Sequence, residues 1–232
     1  MKNIAIILAS GTGSRSGLDI PKQFFKINNK TLLEYSIEAF NKNENIDEII
    51  VISHSEHIDT VNEIIKKNNY TKVSKTIVGG STRQESSFIG ISSISDLEAK
   101  VLIHDAVRPF VSQRIINDCI TSLQAYKAVN VAIETSDTII EIDSVNCLKS
   151  TLERNSLRRV QTPQGFDLDL IKQAHKMAID TNNFKFTDDC GLIEFFELEK
   201  IKVIEGDIHN IKITYPQDLK FAEFLINFYD KI

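Results

Sequence analysis

Short apolar runs and amphipathic stretches alternate regularly through the first half of the chain. "IAIIL" (Ile4 to Leu8) and "IIVIS" (Ile49 to Ser53) are continuous and β-branched, the pattern of central parallel strands covered on both faces. Between them, "TLLEYSIEAF" places Leu33, Ile37 and Phe40 on one helical face and opens with Thr31 and Glu34 at capping-box spacing. The unit reads strand, helix, strand, and it repeats. Ile58, Val61, Ile64 and Ile65 mark a second helix, "KTIVGG" a third strand, and "STRQESSFIGISSI" a helix that Ser81 is expected to cap. "VLIHDAVRP" is a fourth strand ending in a polar loop, and Ser112 opens a helix carrying Ile116, Cys119, Ile120 and Leu123. The alternation predicts an α/β fold, a mostly parallel sheet with helices on both faces.

Near Val131 the rhythm changes. "VNVAIE", "SDTIIEID" and "CLKSTLE" are strand-like pieces with little helical pattern between them, and "DSVN" reads as a turn. They predict a β-hairpin arm, at about 135–158, projecting from the sheet. Helices return with "DLIKQAHKMAI" and "DDCGLIEFFE", followed by the strand "KIKVIEG", the segment "NIKIT", and a last helix begun by Pro216. With no linker, repeat or low-complexity segment, residues 1–232 are expected to form a single domain with an arm.

Composition narrows the class of function. The 232 residues are 42% hydrophobic and carry a net charge of -5, which argues against a chain that wraps nucleic acid and makes any affinity for phosphate a local property. The three cysteines, Cys119, Cys147 and Cys190, have no metal-ligand spacing and read as inert thiols. No apolar stretch is long enough to span a bilayer and no leader pattern opens the chain, so a cytoplasmic protein is expected.

The candidate chemistry sits at strand ends. "ASGTGSRSGLDIPKQ" (residues 9 to 23) lacks the Lys-Ser or Lys-Thr of a P-loop, and its third glycine is out of register for a dinucleotide fingerprint. It offers free backbone N–H groups, small side chains and two cations, Arg15 and Lys22, suited to a polyphosphate; the competing reading is a tight turn with two solvated basic residues. "GGSTRQESS" (Gly79 to Ser87) offers glycines for close approach to a flat base, with Ser86 near a helix N-terminus, or else an ordinary turn; Arg83 reads equally as a structural ion-pair partner. In "HDAVRPF", Asp105 is placed to hold Mg²⁺ against phosphate oxygens, with His104 as hydrogen-bonding support. Further on, Arg154, Arg158, Arg159, Thr187 and Lys212 are individually ordinary surface residues, but in this order they suggest a second anion site.

Taken together, "ASGTGSR...PKQF", "GGSTRQES", "HDAVRPF", "DTI", "RNSL..VQTPQGF", "TDD" and "EGDIHNIKIT.PQDL" resemble the 2-C-methyl-D-erythritol 4-phosphate cytidylyltransferases and their relatives that activate ribitol 5-phosphate. The resemblance runs from about residue 3 to about residue 225. It implies a Rossmann-like nucleotidyltransferase fold and a homodimer in which each arm helps close the partner's site. It also implies that Ala9, Gly11, Gly13, Arg15 and Lys22 cradle the CTP phosphates, and that Gly80, Ser81 and Ser86 contact cytosine and ribose. Asp105 would bind Mg²⁺, Lys212 would reach the α-phosphate, and Thr138, Arg154, Thr162 and Thr187 would hold the sugar-alcohol phosphate. Two positions depart from the family pattern: Ser16 stands where Met is usual, and Arg158 where Trp is common. The implied reaction moves CMP from CTP to the acceptor phosphate, releasing pyrophosphate. 2-C-Methyl-D-erythritol 4-phosphate is the first choice of acceptor and ribitol 5-phosphate the second. A non-catalytic nucleotide-binding scaffold is the remote alternative, which the presence of Arg15, Lys22, Asp105 and Lys212 together argues against.

Overall fold

The computed structural model describes residues 1–11, 20–96 and 98–229, so Gly13 and Arg15 lie outside the described residues. Continuous β-branched runs become the inner strands because both of their faces must be covered. β1 (Lys2–Ala9) is the centre, with Ile4 and Ile6 facing one layer of helices and Ala5 and Ile7 the other. A two-strand turn, β2 (Lys26–Ile27) and β3 (Lys30–Thr31), leads into α1 (Leu32–Asn41), which starts with the expected capping box between Thr31 and Glu34. β4 (Glu48–Ser53), α2 (Ile58–Asn68) and β5 (Val73–Val78) then build outward on one side of β1.

After α3 (Arg83–Ser92) the chain crosses back, and β6 (Ala99–Asp105) pairs in parallel with the opposite side of β1, Leu8 facing Asp105. Consecutive connections therefore leave β1 in opposite directions. The crevice that this opens at the carboxyl ends of β1 and β6 is where open α/β sheets bind ligands. α4 (Gln113–Ser122), capped by Ser112, leads to β7 (Ala128–Glu134). The hairpin follows as β8 (Ile140–Ile142) and β9 (Leu148–Thr151), a separate two-stranded sheet with Ile140, Ile142 and Leu148 exposed.

β10 (Arg158–Asp167) returns from the hairpin and inserts antiparallel between β6 and β7. α5 (Leu168–Asp180), α6 (Cys190–Phe195), β11 (Ile201–Glu205) and α7 (Pro216–Tyr229) complete the chain. The seven strands lie in the order β11-β7-β10-β6-β1-β4-β5, with β10 alone running against the rest. α1, α2 and α4 cover one face and α3, α5 and α6 the other. α7 packs Leu219, Ala222 and Ile226 on Ile27, Leu32 and Ile213 in a third apolar cluster.

One local expectation is corrected. Thr82, not Ser81, caps α3: its hydroxyl accepts the Glu85 N–H at 3.1 Å, while the Ser81 hydroxyl donates to Glu85 Oε2 at 2.8 Å. Both residues have capping chemistry, and the Glu85 carboxylate draws Ser81 away. The fold rests on large side chains fully enclosed between layers, Phe40 among them. Phe40→Ala should lower stability by about 4 kcal/mol, read as a lower urea midpoint with an unchanged slope.

Candidate active site

The first wall of the crevice is the exit from β1. Gln23, 3% exposed, donates through Nε2 to the carbonyls of Ala9 at 2.8 Å and Gly11 at 2.9 Å, pinning the chain just beyond β1 to the turn that carries Lys22. Lys22 Nζ in turn donates to the Thr214 carbonyl at 3.2 Å, two residues beyond Lys212. The turn that carries Lys22 is thereby tied to the C-terminal segment.

The second wall is the turn after β5. A Cβ on Gly79 would lie 2.7 Å from Ser10 Cβ and 2.9 Å from Ile52 Cγ2, so only glycine lets this turn press against the end of β1. Ser86, fully buried, accepts the Gly80 N–H at 3.1 Å, lies 2.8 Å from the Ser10 hydroxyl, and donates to the Thr82 carbonyl at 2.8 Å. Its hydroxyl thus locks the two loops together. The Ser81 N–H donates to Glu85 Oε2 at 2.7 Å.

Asp105, the last residue of β6, lies on the floor between these walls. Its Oδ1 accepts from Arg83 Nε at 3.1 Å and its Oδ2 from Lys212 Nζ at 2.7 Å. Burial would raise the Asp105 carboxyl, but the Arg83 and Lys212 charges outweigh it and hold the group well below the usual carboxylate range. Lys212 arrives because Ile213 is buried in the third cluster and its N–H donates to the Val107 carbonyl at 2.9 Å, docking the strand-like segment beside the end of β6. Beneath the carboxylate, the Asp105 N–H donates to Thr162 Oγ1 at 3.1 Å. The Thr162 hydroxyl lies 3.0 Å from His104 Nδ1, and His104 Nε2 lies 3.0 Å from the Arg108 carbonyl. With its oxygen already accepting, Thr162 donates to Nδ1 and the imidazole keeps its proton on Nε2. Burial lowers the His104 pKa to about 4, so the ring is neutral at pH 7.

A cleft with this strand order and these cations fits a nucleotide polyphosphate, and comparison with known proteins agrees. The family described as 2-C-methyl-D-erythritol 4-phosphate cytidylyltransferase matches residues 3–227. The chain belongs to this family. It is a CTP-dependent nucleotidyltransferase. A relative from Clostridium tetani named 2-C-methyl-D-erythritol 4-phosphate cytidylyltransferase is 41% identical over 100% of this chain and 93% of its own. A Haemophilus influenzae protein named bifunctional ribulose 5-phosphate reductase/CDP-ribitol pyrophosphorylase is 38% identical over 97% of this chain but 48% of its own length. The crystal structure of 4-diphosphocytidyl-2C-methyl-D-erythritol synthase from Anaerococcus prevotii superposes with a TM-score of 0.87 at 32% identity, covering 97% of this chain and 96% of that one.

Within this cytidylyltransferase, Ala9 and Gly11 are bonded to Gln23 beside Lys22, Gly80 and Ser81 to Ser86 and Glu85 at the start of α3, and Thr162 and Lys212 to Asp105, so these residues gather at the ends of β1, β5 and β6. The exposed arm pair is elsewhere: Arg154 Nη2 donates to Thr138 Oγ1 at 3.0 Å, and among the described residues no hydrogen bond or ion pair joins either to the Asp105 cluster. Thr187 is exposed, two residues before Asp189. Arg158 donates to the carbonyls of Asn155 and Leu157 and lines an open cleft of about 900 Å³ at the arm's base with Arg114, Glu134 and Glu205. The Asp207 carboxylate turns onto the N–H and ring of His209. Among the described residues no three metal-binding side chains cluster.

Two site residues escaped the sequence reading. Gln23 was visible only as part of "PKQ". Asp189 is 1% exposed and gathers Arg83 Nη1 at 2.7 Å, the Ser87 hydroxyl at 2.5 Å and His175 Nε2 at 3.1 Å. Burial opposes its charge, but Arg83 and the His175 and Ser87 contacts hold the carboxyl far below its ordinary value. A group depressed in the fold stabilises fully above its unfolded value, about 3.9, and loses that contribution as pH falls below it. Urea midpoints should therefore drop steeply below about pH 4. Asp189→Asn should begin less stable near neutrality and show a shallower acid slope; an equal slope would count against an ionised Asp189.

Proposed function

We propose that this enzyme transfers CMP from CTP to 2-C-methyl-D-erythritol 4-phosphate, making the CDP-linked alcohol and pyrophosphate. The observation that supports it most is the Lys212–Asp105 pair at the end of β6, with Lys22 bonded to Thr214 two residues beyond Lys212, in a chain matched to that family along nearly its whole length. An oxygen of the acceptor phosphate attacks the α-phosphorus of CTP. As that bond forms, the bond to the bridging oxygen breaks, and pyrophosphate leaves with the electron pair. A phosphate monoester is largely ionised at neutral pH and needs no general base. Lys22, Lys212 and, outside the described residues, Arg15 neutralise charge at the five-coordinate phosphorus. Gly80, Ser81 and Ser86 hold the base and ribose.

A divalent cation, Mg²⁺ by preference, fits the donor set. Asp105 supplies a carboxylate at the end of β6, and magnesium takes one or two carboxylates with the rest of its shell from substrate oxygens and water. Such an ion supplies further neutralisation of the triphosphate. Lys212, paired here with Asp105 Oδ2, would turn to the α-phosphate when CTP binds.

The acceptor phosphate is assigned to Thr187 and Thr162, with Thr138 and Arg154 delivered by the arm of a second copy. The exposed apolar arm residues Ile140, Ile142, Val145 and Leu148 support a homodimer, because a hairpin this small gains stability by burying such a face. We read residues 1–232 as one domain with this dimerisation arm. No helix among the described residues is long and apolar enough to cross a membrane, and the three cysteines are free, in keeping with a reducing cytoplasm. The CDP-ribitol pyrophosphorylase relative and Arg158 at the arm's base favour a second reading, in which ribitol 5-phosphate is the acceptor.

Pyrophosphate release and CDP-alcohol formation from CTP with each acceptor should show a kcat/KM preference for 2-C-methyl-D-erythritol 4-phosphate; the reverse preference would select the ribitol reading. Lys22→Ala and Lys212→Met should each cost about 3 to 4 kcal/mol in the barrier, on the order of 10² to 10³ in kcat, with the fold retained by circular dichroism. Near-normal turnover by either variant would remove that lysine from the assignment.

A further inference from the structure

The two cations on Asp105 are held in different ways. Lys212 reaches Oδ2 from a side chain that is 43% exposed, through one flexible ammonium. Arg83 reaches Oδ1 from a side chain only 21% exposed, and its far end is tied by the 2.7 Å bond to Asp189. Asp189 is itself fixed by Ser87 on the same helix and by His175 on α5, and its N–H donates to Gln164 Oε1 on β10 at 2.9 Å. The guanidinium is thus a rigid strut between a buried anchor and the site carboxylate. Its planar fork holds the two carboxylates through two separate, fixed nitrogens, Nε and Nη1, where an ammonium would offer a single rotatable nitrogen on a shorter reach.

Resting on the functional reading above, we infer that Arg83, anchored by Asp189, is a positioning residue for the nucleotide half of the reaction. It fixes Oδ1 and leaves Oδ2 as the one oxygen of Asp105 that changes partner when CTP enters. Without the strut, the carboxylate would swing with Lys212, and the two would remain paired instead of separating toward the incoming nucleotide. Arg83 makes no acceptor contact in this scheme, so its effect belongs to CTP.

The test uses full-length protein and two variants, because Arg83→Met leaves two acids without their cation and is prone to misfold. Arg83→Lys keeps the charge but replaces the two fixed donor nitrogens by one mobile ammonium on a shorter side chain. Asp189→Asn removes the anchor and leaves Arg83 in place. CTP affinity is measured by calorimetry with Mg²⁺ and no acceptor, and KM is then measured for each substrate in turnover. Each variant should weaken CTP binding at least 10-fold and raise KM for CTP, while KM for the acceptor stays within 2-fold. The double variant should bind CTP no more weakly than the poorer single one. Wild-type CTP affinity in folded Arg83→Lys would overturn the inference, as would a defect confined to the acceptor KM or additive losses in the double variant. Failure of the wild-type enzyme itself to bind CTP would overturn the functional reading, and this inference with it.

Discussion

The ion-pair chain Lys212–Asp105–Arg83–Asp189 is the constraint around which the crevice is arranged. A lone carboxylate at the end of a central strand would carry a heavy desolvation cost, and so would a second one under α3. Alternating anion and cation removes most of that cost, but only if four segments distant in sequence come within about 3 Å of one another. The glycine turn and the Ser86 lock seat the start of α3, which carries Arg83, against the end of β1. A net acidic chain holds a cationic phosphate site in this way without any broad basic surface.

Backbone polarity matters as much as charge. The Asp105 N–H lies at the end of its strand, where no ladder partner remains, and Thr162 supplies the acceptor. Thr162 can do so because β10 runs antiparallel to β6 and passes its bulged, polar middle beneath the site between Val160 and Gln164. His104, kept neutral by burial, completes that line to the carbonyl of Arg108. The hydroxyl of Thr162 is thereby committed to the protein, so any contact it makes with an acceptor phosphate shares that bonding.

Much of this was legible in the chain because apolar periodicity reports burial directly. β1, β4, β6 and the capping box of α1 follow from runs such as "IAIIL" and the Thr31/Glu34 spacing, and Asp105 was conspicuous as an acid ending an apolar strand. β10 was harder to see: "RRVQTPQGFD" is polar and contains a proline, signs that normally exclude a central strand, and it is tolerated there by a break in register. Arg83 and Asp189 are 106 residues apart, and no local pattern pairs them. The capping role of Thr82 could not be separated from that of Ser81 without knowing where the Glu85 carboxylate turns.

The docking of Ile213 on Val107 also sets the order in which the crevice is completed. The Lys212–Asp105 contact joins groups 107 residues apart in the chain, so it forms only once the segment beyond β11 has packed. Until Ile213 seats in its apolar cluster, Asp105 lacks its second cation and the crevice lacks the strap to Lys22. Competence for chemistry therefore depends on α7, whose Leu219, Ala222 and Ile226 share the apolar cluster that holds Ile213 in place.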